Sequence, residues 1–250
     1  MVLLQVLTCV FYSSKQDKVG GGMTFILNIL HKNFSLLASD RKATAKGPCT
    51  INMPGITIHA KDGATIQGVK KIYLSSDKLQ ALGIAGNTQE HPYTAVIEQS
   101  TSINESLRSI RQHMEGFLCI GDRASVLKLG SYMENQGIVT FFDSDQNSYF
   151  SNFHVFSVLN NATKIFWCDN NASLLIHIGS GSNSLEQAVG RDEILKFASS
   201  VQSIEQLNHC LEWLKLTYKK VSTIDPGSGE DFVAVLSTRD NPEFRTVSDE

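Results

Sequence analysis

Met23 and Thr24 head a run of β-forming residues, TFILNIL, and a threonine so placed can do chemistry if its nitrogen is free. Removal of Met23 would give Thr24 an α-amine with a pKa of roughly 7.7–8.0. Such an amine is partly neutral at physiological pH and can take the proton of its own residue's hydroxyl. One residue then supplies nucleophile and base, and attack on an amide carbonyl gives an ester intermediate. By spacing alone no serine or cysteine triad competes with it. The seven histidines are scattered and form no HExxH, and Cys9, Cys49, Cys119, Cys168 and Cys210 show no CxxC spacing. The expectation is reduced thiols, no disulfide frame, no metal site and no cofactor.

The 22 residues ahead of Met23 bear directly on this chemistry. Their apolar opening, MVLLQVLTCVFY, lacks a basic flank and a small-residue cleavage site, and it is too short to cross a bilayer. Lys18-Val19-Gly20-Gly21-Gly22 can be encoded by codons resembling a bacterial ribosome-binding site upstream of Met23. Residues 1–23 are therefore expected to be non-native or removed.

The elements that must position Thr24 follow from pattern. The chain has 250 residues, 42% hydrophobic and 19% charged, which suits one large domain over 24–240. A net charge of −3 gives no electrostatic footprint for nucleic acid or an anionic membrane. TFILNILH, a turn at Lys32-Asn33 and FSLLASD read as a hairpin. Residues 45–68, rich in Gly, Pro and Thr, read as an extended loop or small hairpin inserted in the domain. VKKIYLSS and LQALGIAG form the next strand pair. Helical periodicity follows from Thr88 to about Phe117, with Asn104 or Ser102 as the cap of its second part. Strands return at GIVTFFDSD, SYFSNFHVFSV, TKIFWCD and SLLIHIGSG. A second helical region covers about 184–218 with a break near 199–203, then comes the strand DFVAVLST. The polar tail over 241–250 is expected to be mobile. Strands, helices, strands, helices and a strand predict an α+β fold, a four-layer αββα sandwich of two antiparallel sheets flanked by helices. No GxGxxG or P-loop follows a strand.

Four segments, in order, resemble those of proteasome-type β subunits, the N-terminal-threonine members of the Ntn-hydrolase superfamily, in a bacterial form. They are TFILNILHKNFSLLASDRKAT, KKIYLSSDKLQALGIAG, IGSGSNSLEQAV and DPGSGEDFVAVL, and they span the chain from Thr24 to Leu236. The resemblance implies a threonine-type peptidase with Thr24 as nucleophile and its α-amine as base. It implies that Asp40 bonds a lysine, Lys71, whose charge lowers the hydroxyl's pKa. On a strand, Lys70 and Lys71 face opposite ways, so only one can reach the site. Ser180, Asp225 and Ser228 would orient the amine, and the Gly86 N–H would form the oxyanion hole. Ile84 would line the specificity pocket, and Thr44 would pair its backbone with an extended substrate. The family's way of working further implies a homo-oligomeric ring in the cytoplasm, peptide or unfolded-protein substrates, and an ATPase unfoldase as partner.

Three departures stand out. Asn28 occupies the place of a usual first-strand glycine, the 45–68 segment is longer than usual, and Thr24 follows Met23 where family propeptides end in glycine. Two other functions remain open: a small-molecule amidase or transpeptidase on the same fold, and a catalytically silent ring-forming structural subunit.

Overall fold

The computed structural model describes residues 24–44, 49–53, 56–61, 63–86, 93–109, 135–156, 162–168 and 171–248. The expected extension over 1–23 lies outside them. β1 (Ile26–His31) and β2 (Phe34–Asp40) form the anticipated hairpin, in the register Ile26↔Ser39 to His31↔Phe34. Every residue of both strands is buried. That requires cover on both faces, which the alternation of side chains provides. Leu27, Ile29, Leu36 and Ala38 join one apolar cluster, whereas Ile26, Leu30 and Leu37 join another on the opposite face.

β1 and β2 are the middle of a five-stranded antiparallel sheet. Its order is β12 (Leu174–Ile178), β1, β2, β13 (Phe232–Thr238), β14 (Asn241–Thr246). The second sheet runs β11 (Ala162–Trp167), β10 (Ser148–Phe156), β9 (Asn135–Asp143), β8 (Gln80–Ala85), β7 (Ile72–Leu74), again antiparallel. The sheets share a core of Ile26, Leu30, Leu37, Ile138, Tyr149, Ile176 and their neighbours. Asn28, the departure noted above, lies fully buried in this interface. Its Nδ2 donates to Ser151 Oγ at 2.6 Å, its Oδ1 accepts from Ser35 Oγ at 2.9 Å, and Ser35 meets Thr140 at 2.7 Å. A glycine would leave those hydroxyls short of a partner. With asparagine the two sheets are tied by satisfied polar groups.

Behind the first sheet pack α3 (Gly181–Val189), α4 (Arg191–Ser200) and α5 (Leu207–Ile224). Leu185, Trp213, Leu214, Tyr218 and Val221 meet Phe25, Leu27 and Leu36. The break expected near 199–203 is there, with Val201 extended and Ser203 capping a 3-10 turn. A second break, at Gly190 with φ 92°, was not foreseen. Against the second sheet lie α1 (Tyr93–Gln99) and α2, described over 103–109, packing Ile97, Ile103 and Leu107 on Leu82, Ile84 and Val139. They are separated because Ser100 Oγ donates to the Ser102 carbonyl and accepts the Ser102 N–H, and Ser102 Oγ accepts the Glu105 N–H. Such local bonds compete with helix and favour caps. The remainder of the expected helix, through Phe117, lies outside the described residues.

These elements correct the expected four-layer αββα sandwich. The described residues are mostly antiparallel strand, fourteen strands in four sheets, and helices do not flank the sheets as two matching layers. Part of the reason is the 45–68 segment, whose described residues add strands and include the small hairpin that was one of its two expected forms. β4 (Cys49–Met53) pairs with β5 (Ile56–Ala60), and β6 (Thr65–Ile66) pairs with β3 (Ala43–Thr44), which lies just before the segment. Besides this, Ile165 and Trp167 of β11, at the edge of the second sheet, are more than half exposed. The expectation of a mobile tail is corrected as well, since β14 pairs with β13 and buries Phe244.

Candidate active site

β2 ends at Asp40, and everything around the candidate nucleophile is built on that carboxylate. Its Oδ1 accepts the N–H of Phe25 at 2.8 Å and the ammonium of Lys71 at 2.8 Å. Its Oδ2 accepts the N–H groups of Gly229 at 3.0 Å and Lys42 at 3.3 Å. Both side chains of the Lys71–Asp40 pair are fully buried. Burial pushes the Asp40 carboxyl up and the Lys71 ammonium down from their ordinary values, each opposed by the other's charge and by the hydrogen bond between them. Four donors leave no acceptor position of the carboxylate unused, and that set suits its ionised form. Lys71 also donates to the carbonyl of Lys42 and feels the charge of Asp225. Lys70, by contrast, is exposed and pairs with Glu98. The alternation of side chains at the start of β7 separates the two lysines as the sequence pattern required.

Thr24 lies one residue before Phe25 and is 2% exposed. Its backbone nitrogen donates to Ser180 Oγ at 3.1 Å, and Ser180 in turn donates to Asp225 Oδ2 at 2.7 Å. Ser228 donates to that same oxygen at 2.7 Å, and the N–H of Gly227 to Oδ1 at 3.0 Å. A nitrogen at position 24 therefore faces a directed chain, from N–H to hydroxyl to carboxylate. Ser180 immediately precedes α3, yet its hydroxyl makes no capping bond into that helix. The Asp225-Pro226-Gly227 turn closes through Ser228 N–H to Asp225 O at 3.0 Å. The structure thus brings together Thr24, Asp40, Lys71, Ser180, Asp225 and Ser228.

Three further expected residues lie nearby with less to define them. Gly86 follows β8 with φ 131°, a conformation that favours glycine. Ile84 is 4% exposed and packs into the cluster under α1 and α2. Thr44 is already paired with Thr65 of β6, so that edge of β3 is occupied by the inserted segment and not open to a substrate strand.

Other residues join the site without having been singled out. Gly179 has φ 89°, and a β-carbon there would fall 2.1 Å from the Thr24 carbonyl oxygen. At Gly181 it would fall 2.6 Å from Phe25 Cβ and 2.7 Å from Ser228 Oγ. Both glycines sit in the IGSGS segment, so spacing held the signal. The Gly181 N–H donates to the Thr24 carbonyl at 3.2 Å. Gln136 of β9 accepts the Gly179 N–H at 3.1 Å, and no motif in the sequence marks it. His177 of β12 bonds Ser182 Oγ at 2.8 Å, and burial pushes its pKa down to about 4.

Among the described residues no group of three His, Cys, Asp or Glu side chains stands where it could hold a metal ion. A separate depression of about 640 Å³ is lined by Lys32, Asp143, Phe150 and Trp167 among others. It lies at the far end of β1, and none of the expected site residues lines it. No helix among the described residues is long and apolar enough to cross a membrane. A scan of protein-family models finds no match to this chain, and a search of curated proteins finds none either.

Proposed function

We propose that the protein is a threonine-type amide hydrolase in which Thr24, freed at its nitrogen, is the nucleophile. The observation that carries this reading is the buried Lys71–Asp40 pair, whose carboxylate also holds the N–H next to Thr24. Burying two charges is costly unless every lone pair and proton is satisfied. Spending it one residue from a potential N-terminal nucleophile fits a functional site better than a structural one.

In this mechanism the neutral α-amine takes the Thr24 hydroxyl proton as Oγ attacks the amide carbon. The Gly86 N–H receives the developing oxyanion, an interaction worth a few kcal/mol in such sites (roughly 3). The ammonium so formed returns its proton to the leaving amine, giving a threonyl ester. Water, deprotonated by the same amine, then attacks the ester and regenerates Thr24. Ser180 accepts one N–H of the amine and passes the polarity to Asp225, so the lone pair stays aimed at Oγ. Lys71 lowers the pKa of the hydroxyl through its charge.

In this reading peptides or unfolded proteins are the substrates, and the protein works as a homo-oligomeric ring in the cytoplasm with an ATPase unfoldase as partner. The pairing of β3 with β6 favours a second reading, because it narrows the place for an extended chain. A small-molecule amidase would use the same residues. The test is intact mass and N-terminal sequencing of untagged protein, followed by hydrolysis assays on a panel of peptide and small amides. A chain beginning at Thr24, active as wild type and inactive as Thr24→Ala, is the expected result. A chain that retains residues 1–23 would leave position 24 without a free amine, and the silent structural subunit would then replace the hydrolase.

A further inference from the structure

The candidate site is divided between the two sheets. Thr24, Asp40, Ser180, Asp225 and Ser228 belong to the first sheet and its connections, whereas Lys71 and Gly86 flank β7 and β8 of the second. A nucleophile on one sheet and an oxyanion donor on the other must keep their separation to within about 0.5 Å. The Lys71–Asp40 pair is one tie across that divide. Gln136 makes another, close to the site itself. On β9 it sits directly opposite Ala85, the residue before Gly86. Ile138, two residues on, faces the core between the sheets, so Gln136 projects to the same side. Its Oε1 accepts the Gly179 N–H at 3.1 Å. Gly179 is wedged between the two halves, since a β-carbon there would lie 2.1 Å from the Thr24 carbonyl oxygen and 3.3 Å from Ala85 Cβ.

We infer that Gln136 is a positioning residue, which fixes the Gly179 turn and through it the spacing between Thr24 and the Gly86 N–H; this rests on the threonine-nucleophile reading. It touches neither the nucleophile nor the oxyanion donor, so substrate binding in the ground state should be indifferent to it. What it governs is how well the site fits a tetrahedral carbon, an interaction made only in the transition state.

The experiment uses processed protein beginning at Thr24, with Gln136→Met, which keeps length without the acceptor, and Gln136→Asn, which keeps the amide but is one methylene too short. Both should exchange the Gly179 amide hydrogen at least about tenfold faster than wild type, as expected for a released buried N–H. In both, kcat on a peptide amide should fall by about 10- to 100-fold with KM within about twofold. Affinity for a peptide boronate, a tetrahedral analogue, should fall by the same factor as kcat. A general loss of stability would not give that matched pair of losses at constant KM. Wild-type kcat in either folded variant overturns the role of Gln136 and leaves the hydrolase standing, as does a rise in KM that accounts for the loss. An inactive wild type beginning at Thr24 overturns the hydrolase, and the role of Gln136 with it.

Discussion

Gly179→Ala tests how tightly Thr24 is nested. At φ 89° an alanine occupies a left-handed conformation that costs about 1–2 kcal/mol. Its β-carbon would stand 2.1 Å from the Thr24 carbonyl oxygen and 2.8 Å from the carbonyl carbon, contacts that only backbone movement can relieve. That carbonyl is held by the Gly181 N–H at 3.2 Å, a bond worth about 1 kcal/mol that the movement would break. The sum is about 2–3 kcal/mol before any wider repacking. Gly190→Ala is the control, because φ is 92° there and no atom lies within 4 Å of the added carbon. It bears the conformational cost alone. Urea unfolding followed by fluorescence of Trp167 and Trp213 reads both. With a slope of about 3 kcal/mol/M, Gly179→Ala should lower the midpoint by close to ~1 M, and Gly190→Ala by about half of that. Equal midpoints for the two variants would refute the close packing of the turn on Thr24.

Lys71→Met should abolish hydrolysis and destabilise the fold by about 3–5 kcal/mol, because Asp40 would be left as a buried, unpaired charge. The double variant Asp40→Asn, Lys71→Met should recover much of the stability and none of the activity; recovery of both would remove the pair from the chemistry. His177 makes stability depend on pH. Its pKa falls from 6.5 to about 4 on folding, so the ring is neutral when folded while the unfolded chain takes up a proton. The contribution is fully present above pH 6.5 and is lost as pH falls towards 4. The span of 2.5 units at 1.36 kcal/mol each sets a ceiling of about 3 kcal/mol, which partial exposure of the ring lowers. His177→Gln lacks this dependence, so in denaturation curves the wild-type-minus-variant stability should fall by up to that amount between pH 6.5 and 4, and a difference that stays constant with pH would refute the role of His177. Gly86→Ala, strained at φ 131°, should lower kcat by at least tenfold (about 10²) while KM changes little.

The candidate site was legible through the resemblance of four segments to a known family, and not through residue types, since a lone serine, aspartate or lysine in a chain of this length is usually structural. Strand alternation required only that one of Lys70 and Lys71 face the site, and the resemblance chose Lys71; Ser180, Asp225 and Ser228 fell in short Gly-containing segments that punctuate the pattern. Gln136 could not be read, since its function is one hydrogen bond to a residue 43 positions away and glutamine is common on strand ends. The fold was legible strand by strand but not in its layers. The helical pattern after Thr88 ran through Ser100 and Ser102, whose side chains stop a helix only by bonds that depend on the local turn. β14 escaped because NPEFRT has one buried apolar residue, Phe244, and its proline is tolerable only at a sheet edge, where it is found. The 45–68 segment alternates too briefly to decide between an extended loop and the small hairpin that β4 and β5 form.

The hydrogen bonds around Thr24 reach far along the chain. Its nitrogen meets Ser180 across 156 residues, and Asp40 meets Gly229 across 189. During synthesis the nucleophile is among the first parts made, yet the serines, the aspartate and the turn that aim it come from the last third. A ribosome-bound chain that stops short of Ser180 holds a threonine with none of these groups to orient it. On the proposed chemistry, a half-made copy cannot cut its neighbours, and competence arrives only when translation is nearly complete.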